Sequence, residues 1–281
     1  MGVVDTFDPA ARNREDRLSL GAVSLDPSFL NDVDQKQQEL YPGFLVSDGD
    51  QIANRGEPNK TWVFFSPLHH ARSGLLTPDL VDNMCKGAKL LVVGAGCGDI
   101  ERYLIKVCAV NPEQITAADI DLSNYASDLG VTTRQFDMVS AWSLEPGQYQ
   151  HVLLPESLGM AVKARFPLMR ESPSLGELRE IFELQKRILG DGPSSISDQE
   201  TRRFLGLVCT TTSPAGLAGE VIKRGLQYTA PGGDLRINGH CLSGSELAAV
   251  LLMIDRCESS VSSVSLGQHS MVIRRASSSR S

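Results

Sequence analysis

The sequence lacks the features that assign a chain to a membrane-spanning, disulfide-stapled or zinc-binding class. Its longest apolar run, 247–254, is far shorter than the roughly 18 residues of a membrane span. Its six cysteines are scattered and include no Cys-x-x-Cys pair, which argues against zinc sites and a disulfide framework. The first residues carry no basic and then apolar secretory signal. We therefore expect a globular chain in the reducing cytoplasm, without a metal.

Positive charge is also scarce. Lys and Arg number 27 against 34 Asp and Glu, which gives a formal net charge of −7 at pH 7. Nucleic acids and anionic membranes attract basic surfaces, so the sequence predicts neither as a partner. Hydrophobic residues make up 41% of the chain, which excludes global disorder. The oligomeric state stays open, with a homodimer as one option.

Short apolar runs alternate with helical segments in the middle of the chain. The run 90–93 has no polar alternation, which is typical of a strand buried on both faces. Further strands are predicted at 114–119, 131–136 and 149–154, with a helix at 122–129 after the second. This alternation predicts an α/β fold with a doubly wound, mostly parallel sheet and helices on both of its faces.

The alternation is interrupted at 160–212 and then resumes. Capping boxes begin at Ser174 and Ser197, so the interruption predicts a helical insert. The insert is longer than an ordinary connection, and we interpret it as a substrate-shaping lid; a helical pair that only covers the sheet edge is the alternative. The segments predicted beyond it are a helix at 215–228, a turn and strand at 231–237, a helix at 245–257, and strands at 261–266 and 270–274.

The ends of the chain differ from this central part. Residues 1–60 are polar and irregular, and they predict a loosely helical cover rather than an independent domain. Residues 61–275 are predicted to form one domain, and the Ser-rich segment 276–281 is predicted to be a disordered tail.

A glycine-rich segment, Gly94-Ala-Gly-Cys-Gly98, follows the first buried strand. A strand that ends in glycines and passes into a helix brings bare backbone and a helix N-terminus to a ligand. The dinucleotide-binding fingerprint requires a third small residue where this chain has Asp99. A carboxylate there is unfavourable beside a pyrophosphate, although it suits a positive sulfonium group or caps the helix. An NAD(P)-dependent oxidoreductase is therefore kept only as an alternative.

Two acidic residues follow the next two strands. Asp119 comes 21 residues after Gly98, where an acid at the end of a strand meets ligand sugars in a doubly wound sheet. An ordinary N-cap of the next helix is the alternative for Asp119. Asp137 follows the third strand, and for it a turn-forming role is the alternative to ligand binding.

With these residues the chain resembles the class I S-adenosylmethionine-dependent methyltransferases. The segment 91–98 resembles the glycine-rich first motif of that family, and 231–235 resembles the turn before its fifth strand. The resemblance extends over about residues 85–275, apart from the insert. The acid that normally begins the first motif is absent, since Leu91 and Val92 stand in its place.

The resemblance implies a seven-stranded sheet, S-adenosylmethionine as the cofactor, and a set of residues that bind it. In that family the acid corresponding to Asp119 holds the ribose hydroxyls, and the pair corresponding to Asp137 and Met138 meets the adenine. Ile120 would cover the other face of the adenine, with a plain core role as the alternative for both Ile120 and Met138. The implied cofactor-binding residues are Gly94, Ala95, Gly96, Gly98, Asp119, Ile120, Asp137 and Met138.

A methyl acceptor with an oxygen or nitrogen nucleophile needs a base whose pKa lies near the working pH, for which His is the usual choice. The candidate catalytic residues are His70, Glu156 and His240. His70 is predicted to lie with His69 in a loop before the first strand, and the other two follow the fourth and fifth strands. Surface or capping roles remain open for each of them.

The sequence thus predicts a methyltransferase that acts on a small molecule. Within the same fold, the alternatives are aminocarboxypropyl transfer and a cyclisation. The alternatives from other classes are the oxidoreductase and a noncatalytic protein that retains the cofactor pocket.

Overall fold

A computed structural model of the protein describes residues 20–41, 45–47, 51–53, 64–165, 214–238, 261–267 and 270–277, together with eight residues between 180 and 203. The strands of this part are β1 (Leu20–Ala22), β2 (Leu45–Ser47), β3 (Gln51–Ala53), β4 (Phe64–Phe65), β5 (Leu90–Val93), β6 (Ile115–Asp119), β7 (Thr132–Gln135), β8 (Tyr149–Leu154), β9 (Thr229–Asn238), β10 (Val261–Leu266) and β11 (Ser270–Arg275). The helices are α1 (Pro27–Leu40), α2 (Pro67–Arg72), α3 (Pro78–Cys85), α4 (Asp99–Lys106), α5 (Ser157–Arg165) and α6 (Pro214–Tyr228).

The main sheet has the strand order β1-β10-β11-β9-β8-β5-β6-β7. Its strands β7, β6, β5, β8 and β9 run parallel, and β11 lies antiparallel between β9 and β10. This confirms the predicted doubly wound, mostly parallel α/β sheet. Because parallel strands have their carboxyl ends at one edge, the segments after β5, β6, β7, β8 and β9 meet at that edge.

Two features at the N-terminal side were not predicted. The strand β1 pairs in parallel with β10 and adds an eighth strand to the main sheet. The strands β2, β3 and β4 form a separate antiparallel sheet. The helix α1 agrees with the helical part of the predicted cover, and Asp26 caps it by accepting the backbone N–H of Ser28 and Phe29.

The core lies on both faces of the main sheet, which explains why β5 shows no polar alternation. Leu91 and Val93 pack into one apolar cluster, and Leu90 and Val92 pack into the other. The first cluster includes residues of α5 and α6, while the second includes residues of α1 to α4. The glycine-rich segment is therefore attached to a strand that is fixed from both sides.

The predicted helix at 122–129 is wrong. The structure has turns there, followed by a 3₁₀ helix at Ser127–Leu129. The carboxylates of Asp119 and Asp121 accept the backbone N–H of the residues two positions further on. Such local side-chain bonds compete with helix formation, and they keep this segment in turns.

The predicted loop around His70 is also wrong. His69 and His70 lie on α2, whose first turn is capped by the Ser66 hydroxyl accepting the His69 N–H at 3.1 Å. The turn predicted at 231–235 is a bulge inside β9 instead, with Gly232 at a φ of 78°.

The insert is described only in part. The capping box at Ser197 is confirmed, because the Ser197 hydroxyl accepts the Glu200 N–H while the Glu200 carboxylate accepts the Ser197 N–H. The box at Ser174 and the helix predicted at 245–257 lie outside the described residues. The division into domains and the role of the insert stay predictions.

Candidate active site

The three glycines of the glycine-rich segment have different surroundings. Gly94, Gly96 and Gly98 all have positive φ angles, of 81°, 56° and 81°. A Cβ at Gly94 would overlap Ser157, and a Cβ at Gly98 would lie 2.9 Å from Tyr125 Cε2. A Cβ at Gly96 would meet nothing within 4 Å. The outer two glycines are thus needed for packing, whereas Gly96 presents bare backbone to open space.

Asp119, at the end of β6, lies directly beside this segment. Its Oδ2 accepts the backbone N–H of Gly96 at 2.8 Å, and its Oδ1 accepts the N–H of Asp121 at 3.2 Å. An ionised carboxylate has about four acceptor sites, so these two bonds leave capacity for ligand hydroxyls. The next helical segment described after Asp119 is the 3₁₀ helix at Ser127–Leu129, eight positions further on, so Asp119 caps no helix and the N-cap interpretation is wrong.

The other predicted cofactor residues lie around the same edge. Ile120 is 63% exposed, while Met138 is buried and its methyl carbon lies close to Gly94. The Asp137 Oδ1 accepts the Val139 N–H at 3.1 Å, so the turn role left open for Asp137 is present. Ala95 is buried in the core between the first two glycines. Ligand contacts for these residues stay predictions.

A histidine and a glutamate meet at the end of β8. The Nε2 atom of His69 lies 2.8 Å from Oε1 of Glu156, and the two side chains are 24% and 21% exposed. Glu156 has a φ of 49°, an uncommon conformation for a residue with a side chain. Its backbone N–H donates to Oδ1 of Asn238, which holds it in this conformation. The Asn238 Nδ2 in turn donates to the Ser73 hydroxyl at 3.0 Å.

The structure thus brings Glu156 to His69 rather than to His70. The His70 ring is buried on α2, and its Nδ1 has no partner among the residues described. Burial, together with the neighbouring His69, lowers the pKa of His70 to about 3. A base with such a pKa is poorly matched to neutral pH. His240 lies outside the described residues.

A cleft of about 560 Å³ opens beside the glycine-rich segment. It lies between the end of α1, the first turn of α4 and the segment that follows β6. The residues that line it are Leu40, Tyr41, Cys97, Asp99, Arg102, Asn124, Tyr125, Ala126, Ser127 and Asp128. The cleft therefore shares Cys97 with the glycine-rich segment itself.

Asp99 belongs to this cleft and does not cap its helix. The N-cap of α4 is Gly98, and the Asp99 Oδ1 accepts the Tyr41 hydroxyl at 2.6 Å. Burial raises the pKa of Asp99 to about 6, although the Tyr41 hydroxyl and Arg102 act in the opposite direction. The partner of Asp99 is 58 positions away in the chain, and no sequence pattern pointed to it.

The described part of the chain contains neither a cluster of metal ligands nor a membrane-spanning helix. No group of three or more His, Cys, Asp or Glu side chains there could hold a metal ion. None of the helices described is both long and apolar enough to cross a membrane.

Comparison with known proteins gives matches in three-dimensional structure alone. No protein-family model matches the chain, and no curated protein matches it in sequence. The S-adenosylmethionine-bound amino pentose methyltransferase CalS10 from Micromonospora echinaspora is 15% identical, with a TM-score of 0.29 over 57% of this chain and 48% of that one. This chain therefore spans about half the length of CalS10.

Two further solved structures are similar over more of this chain. The N-methyltransferase NodS from Bradyrhizobium japonicum WM9, in complex with S-adenosylhomocysteine, is 11% identical, with a TM-score of 0.37 over 76% of this chain and 89% of that one. The [4+2]-cyclase SpnF is 14% identical, with a TM-score of 0.33 over 79% of this chain and 62% of that one. The α/β fold assigned above rests on the strand order of the chain itself.

Proposed function

We propose that the protein is an S-adenosylmethionine-dependent methyltransferase. The observation that carries the proposal is the position of Gly96, whose bare backbone faces open space while its N–H is bonded to Asp119. A ligand with a sugar can lie on this backbone with its hydroxyls against the carboxylate of Asp119. When bound, S-adenosylmethionine supplies a methyl group on a positively charged sulfur, and that methyl group is the electrophile.

The residues around Gly96 fit the remaining parts of this cofactor. Asp119 receives the two ribose hydroxyls, and hydrogen bonds to a charged group contribute roughly 1.5–3 kcal/mol each. The exposed Ile120 offers an apolar surface to one face of the adenine, and Met138 offers one to the other. Asp137 lies between β7 and Met138 along the chain, where it accepts a hydrogen bond from the adenine edge.

We further propose that His69 is the base, with Glu156 as its partner. When the Nε2 proton of His69 is donated to Oε1 of Glu156, the lone pair of the ring lies on Nδ1. Nδ1 then takes the proton from an oxygen or nitrogen acceptor, and the ionised Glu156 stabilises the imidazolium that forms. Asn238 is a positioning residue in this scheme, because it fixes the backbone of Glu156.

The acceptor is proposed to be a small molecule. His69 and Glu156 are both partly exposed, so an acceptor can reach them from the edge of the sheet. The net charge of −7 favours a neutral or cationic metabolite over a nucleic acid.

Calorimetry on the full chain tests the cofactor class. The expected result is that S-adenosylhomocysteine binds and NADH does not. Binding of NADH alone would replace the proposal by the oxidoreductase alternative. If S-adenosylhomocysteine binds but no radiolabelled methyl group is transferred from S-adenosylmethionine to any component of a metabolite extract, the noncatalytic alternative replaces it.

A further inference from the structure

Two free cysteines meet where α3 and α4 end. Cys85 is the last residue of α3, and Cys108 follows the end of α4 by two positions. The Cys85 thiol donates a hydrogen bond to the backbone carbonyl of Cys108, with 3.5 Å between the sulfur and the oxygen. The two residues are 23 positions apart in the chain, and no sequence motif connects them.

Hydrogen bonds fix the backbone around both cysteines. The side-chain amide of Gln114 donates to the carbonyls of Met84 and Ala88, at 2.8 and 2.9 Å, and so binds the chain beyond α4 to the end of α3. The Cys108 N–H donates to the Tyr103 carbonyl at 3.3 Å, which closes the last turn of α4. A disulfide in a folded protein needs two backbone segments that hold their thiols close together, and these bonds supply that support.

The two thiols differ in exposure and therefore in reactivity. Cys85 is exposed, whereas Cys108 is half-buried. Burial, and next the nearby Cys85 thiol, raises the pKa of Cys108 to about 11. Lys36 and a hydrogen bond with Tyr103 act in the opposite direction. Cys108 therefore keeps its proton at neutral pH, so a dissolved oxidant reacts first with Cys85.

We propose that Cys85 and Cys108 form a reversible intramolecular disulfide in response to hydrogen peroxide. The Cys85 sulfur attacks one peroxide oxygen, so that the O–O bond breaks, Cys85 becomes a sulfenic acid and one water leaves. The Cys108 sulfur then attacks the sulfenic sulfur, the S–S bond forms, and the hydroxyl leaves as a second water with the Cys108 proton. The two thiols together lose two electrons, which reduce the peroxide to water. A dithiol reductant reverses the change.

This disulfide closes a loop that contains the glycine-rich segment. The chain from 85 to 108 includes all of β5 and α4 as well. A cross-link across a loop of this length stabilises the folded state, chiefly by restricting the unfolded chain. We therefore expect the oxidised protein to melt at least about 3 °C above the reduced one. The inference is independent of the proposed function, because no cofactor takes part in the step or in its test.

Peptide mapping of the full chain tests the proposal. The reduced protein is treated with a small molar excess of hydrogen peroxide at neutral pH, alkylated and digested with trypsin. Cys85 lies in the tryptic peptide 73–86 and Cys108 in 107–134, and neither peptide contains another cysteine. The expected result is that the two peptides are joined and that dithiothreitol separates them. Absence of this cross-link, or a cross-link that forms only in urea, overturns the proposal.

Serine variants test the order in which the two thiols react. In Cys108→Ser, the sulfenic acid on Cys85 has no thiol to attack it, so dimedone should label the peptide 73–86. In Cys85→Ser, the half-buried Cys108 should stay reduced at the same peroxide concentration. Dimedone label on Cys108 in that variant would contradict the assigned order. The wild-type mapping stands without these variants, so a folding defect in one does not remove the test.

Cys97→Ser is the matched control, because Cys97 is half-buried like Cys108 and burial raises its pKa to the same value, about 11. The length of α4, about 12 Å, separates Cys97 from the pair. This variant should therefore leave the cross-link unchanged, and its loss would overturn the proposal.

The melting temperature shows whether the cross-link fits the native fold. The wild type should gain at least about 3 °C on oxidation, while Cys85→Ser treated in the same way should gain nothing. A smaller rise or a fall in the cross-linked wild type would mean that the disulfide distorts the fold, and it would overturn the proposal.

Discussion

Nε2 of His69 and Oε1 of Glu156 lie 2.8 Å apart, although the two residues are separated by 87 positions in the chain. One side chain comes from α2 and the other from the residue after β8, at the edge where the parallel strands end. Their meeting gives the candidate site a histidine whose partner controls which ring nitrogen holds the proton.

The first prediction concerns this pair. His69→Gln should lower kcat for methyl transfer to an oxygen or nitrogen acceptor by a factor of about 10² to 10⁴, the usual contribution of a positioned base. The measurement is radiolabelled methyl transfer over a range of pH. The rate of methyl transfer by the variant should no longer depend on the ionisation of a basic group. Its affinity for S-adenosylhomocysteine should stay unchanged.

Glu156→Gln is the matched test of the partner, because it keeps the shape of the side chain and removes its charge. It should lower kcat by less than His69→Gln does and leave cofactor affinity unchanged. An unaltered pH profile in His69→Gln would exclude this histidine as the base.

The second prediction compares two glycines. Gly96→Ala should weaken S-adenosylhomocysteine binding strongly but cost only about 1–3 kcal/mol of stability, since its Cβ enters open space at a positive φ. Gly94→Ala should destabilise the protein further, because its Cβ overlaps Ser157 as well. Calorimetry and urea unfolding measure the two effects. Cofactor affinity in Gly96→Ala equal to that of the wild type would mean that no ligand lies on this backbone.

The third prediction concerns the pH dependence of stability. Glu101 is 1% exposed, and burial raises its pKa to about 8. In the unfolded chain its pKa is about 4.3, so between these values the folded state binds more protons than the unfolded state. The free energy of unfolding contributed by Glu101 therefore falls as the pH rises from about 4.3 to 8.

Glu101→Gln removes this effect, because an amide does not ionise. Relative to the wild type, the variant should become progressively more stable as the pH rises through this window and should level off above pH 8. Urea unfolding at a series of pH values measures the difference, with Glu113→Gln as the exposed control. A constant difference across the window would show that Glu101 ionises normally in the folded state.

The fourth prediction concerns a buried ionic cluster on β9. Arg236 is 2% exposed, and its Nη2 lies 2.8 Å from Asp234 Oδ2 and 3.0 Å from Asp79 Oδ2. The His151 Nδ1 lies 2.8 Å from Oδ1 of Asp234. Arg236→Met should destabilise the protein by about 3–5 kcal/mol, because it leaves the buried Asp234 without its guanidinium partner.

The double variant Asp234→Leu, Arg236→Met is the control for this cluster. It should be more stable than Arg236→Met alone, because no buried charge is then left unpaired. A loss of less than about 1 kcal/mol in Arg236→Met would mean that the cluster is far better hydrated than its burial indicates.

The strand arrangement could be predicted because local patterns determine it. The run 90–93 is apolar at every position because each residue faces one of two cores. The acids Asp119 and Asp137 stand at the edge of the sheet where the parallel strands end. The helix expected at 122–129 does not form, because the Asp119 and Asp121 side chains accept backbone N–H groups and hold the segment in turns. This competition depends on single hydrogen bonds, which periodicity does not register.

The partnerships in the site could not be predicted from the sequence. Tyr41 reaches Asp99 across 58 positions, and Asn238 reaches Glu156 across 82. Each depends on how distant elements pack, and neither residue belongs to a recognisable motif. The alternating polar residues Asp234 and Arg236 likewise look solvent-facing in sequence, whereas β9 buries them against α3.

The most direct measurement of the central claim is calorimetric titration of S-adenosylhomocysteine into Asp119→Ala, beside the wild type and the neighbouring control Asp121→Ala. The expected result is that Asp119→Ala weakens binding by about two to four powers of ten through the loss of two charged hydrogen bonds, while Asp121→Ala binds like the wild type. Equal affinity in Asp119→Ala and the wild type would contradict the account, because the carboxylate beside Gly96 would then hold no part of the cofactor.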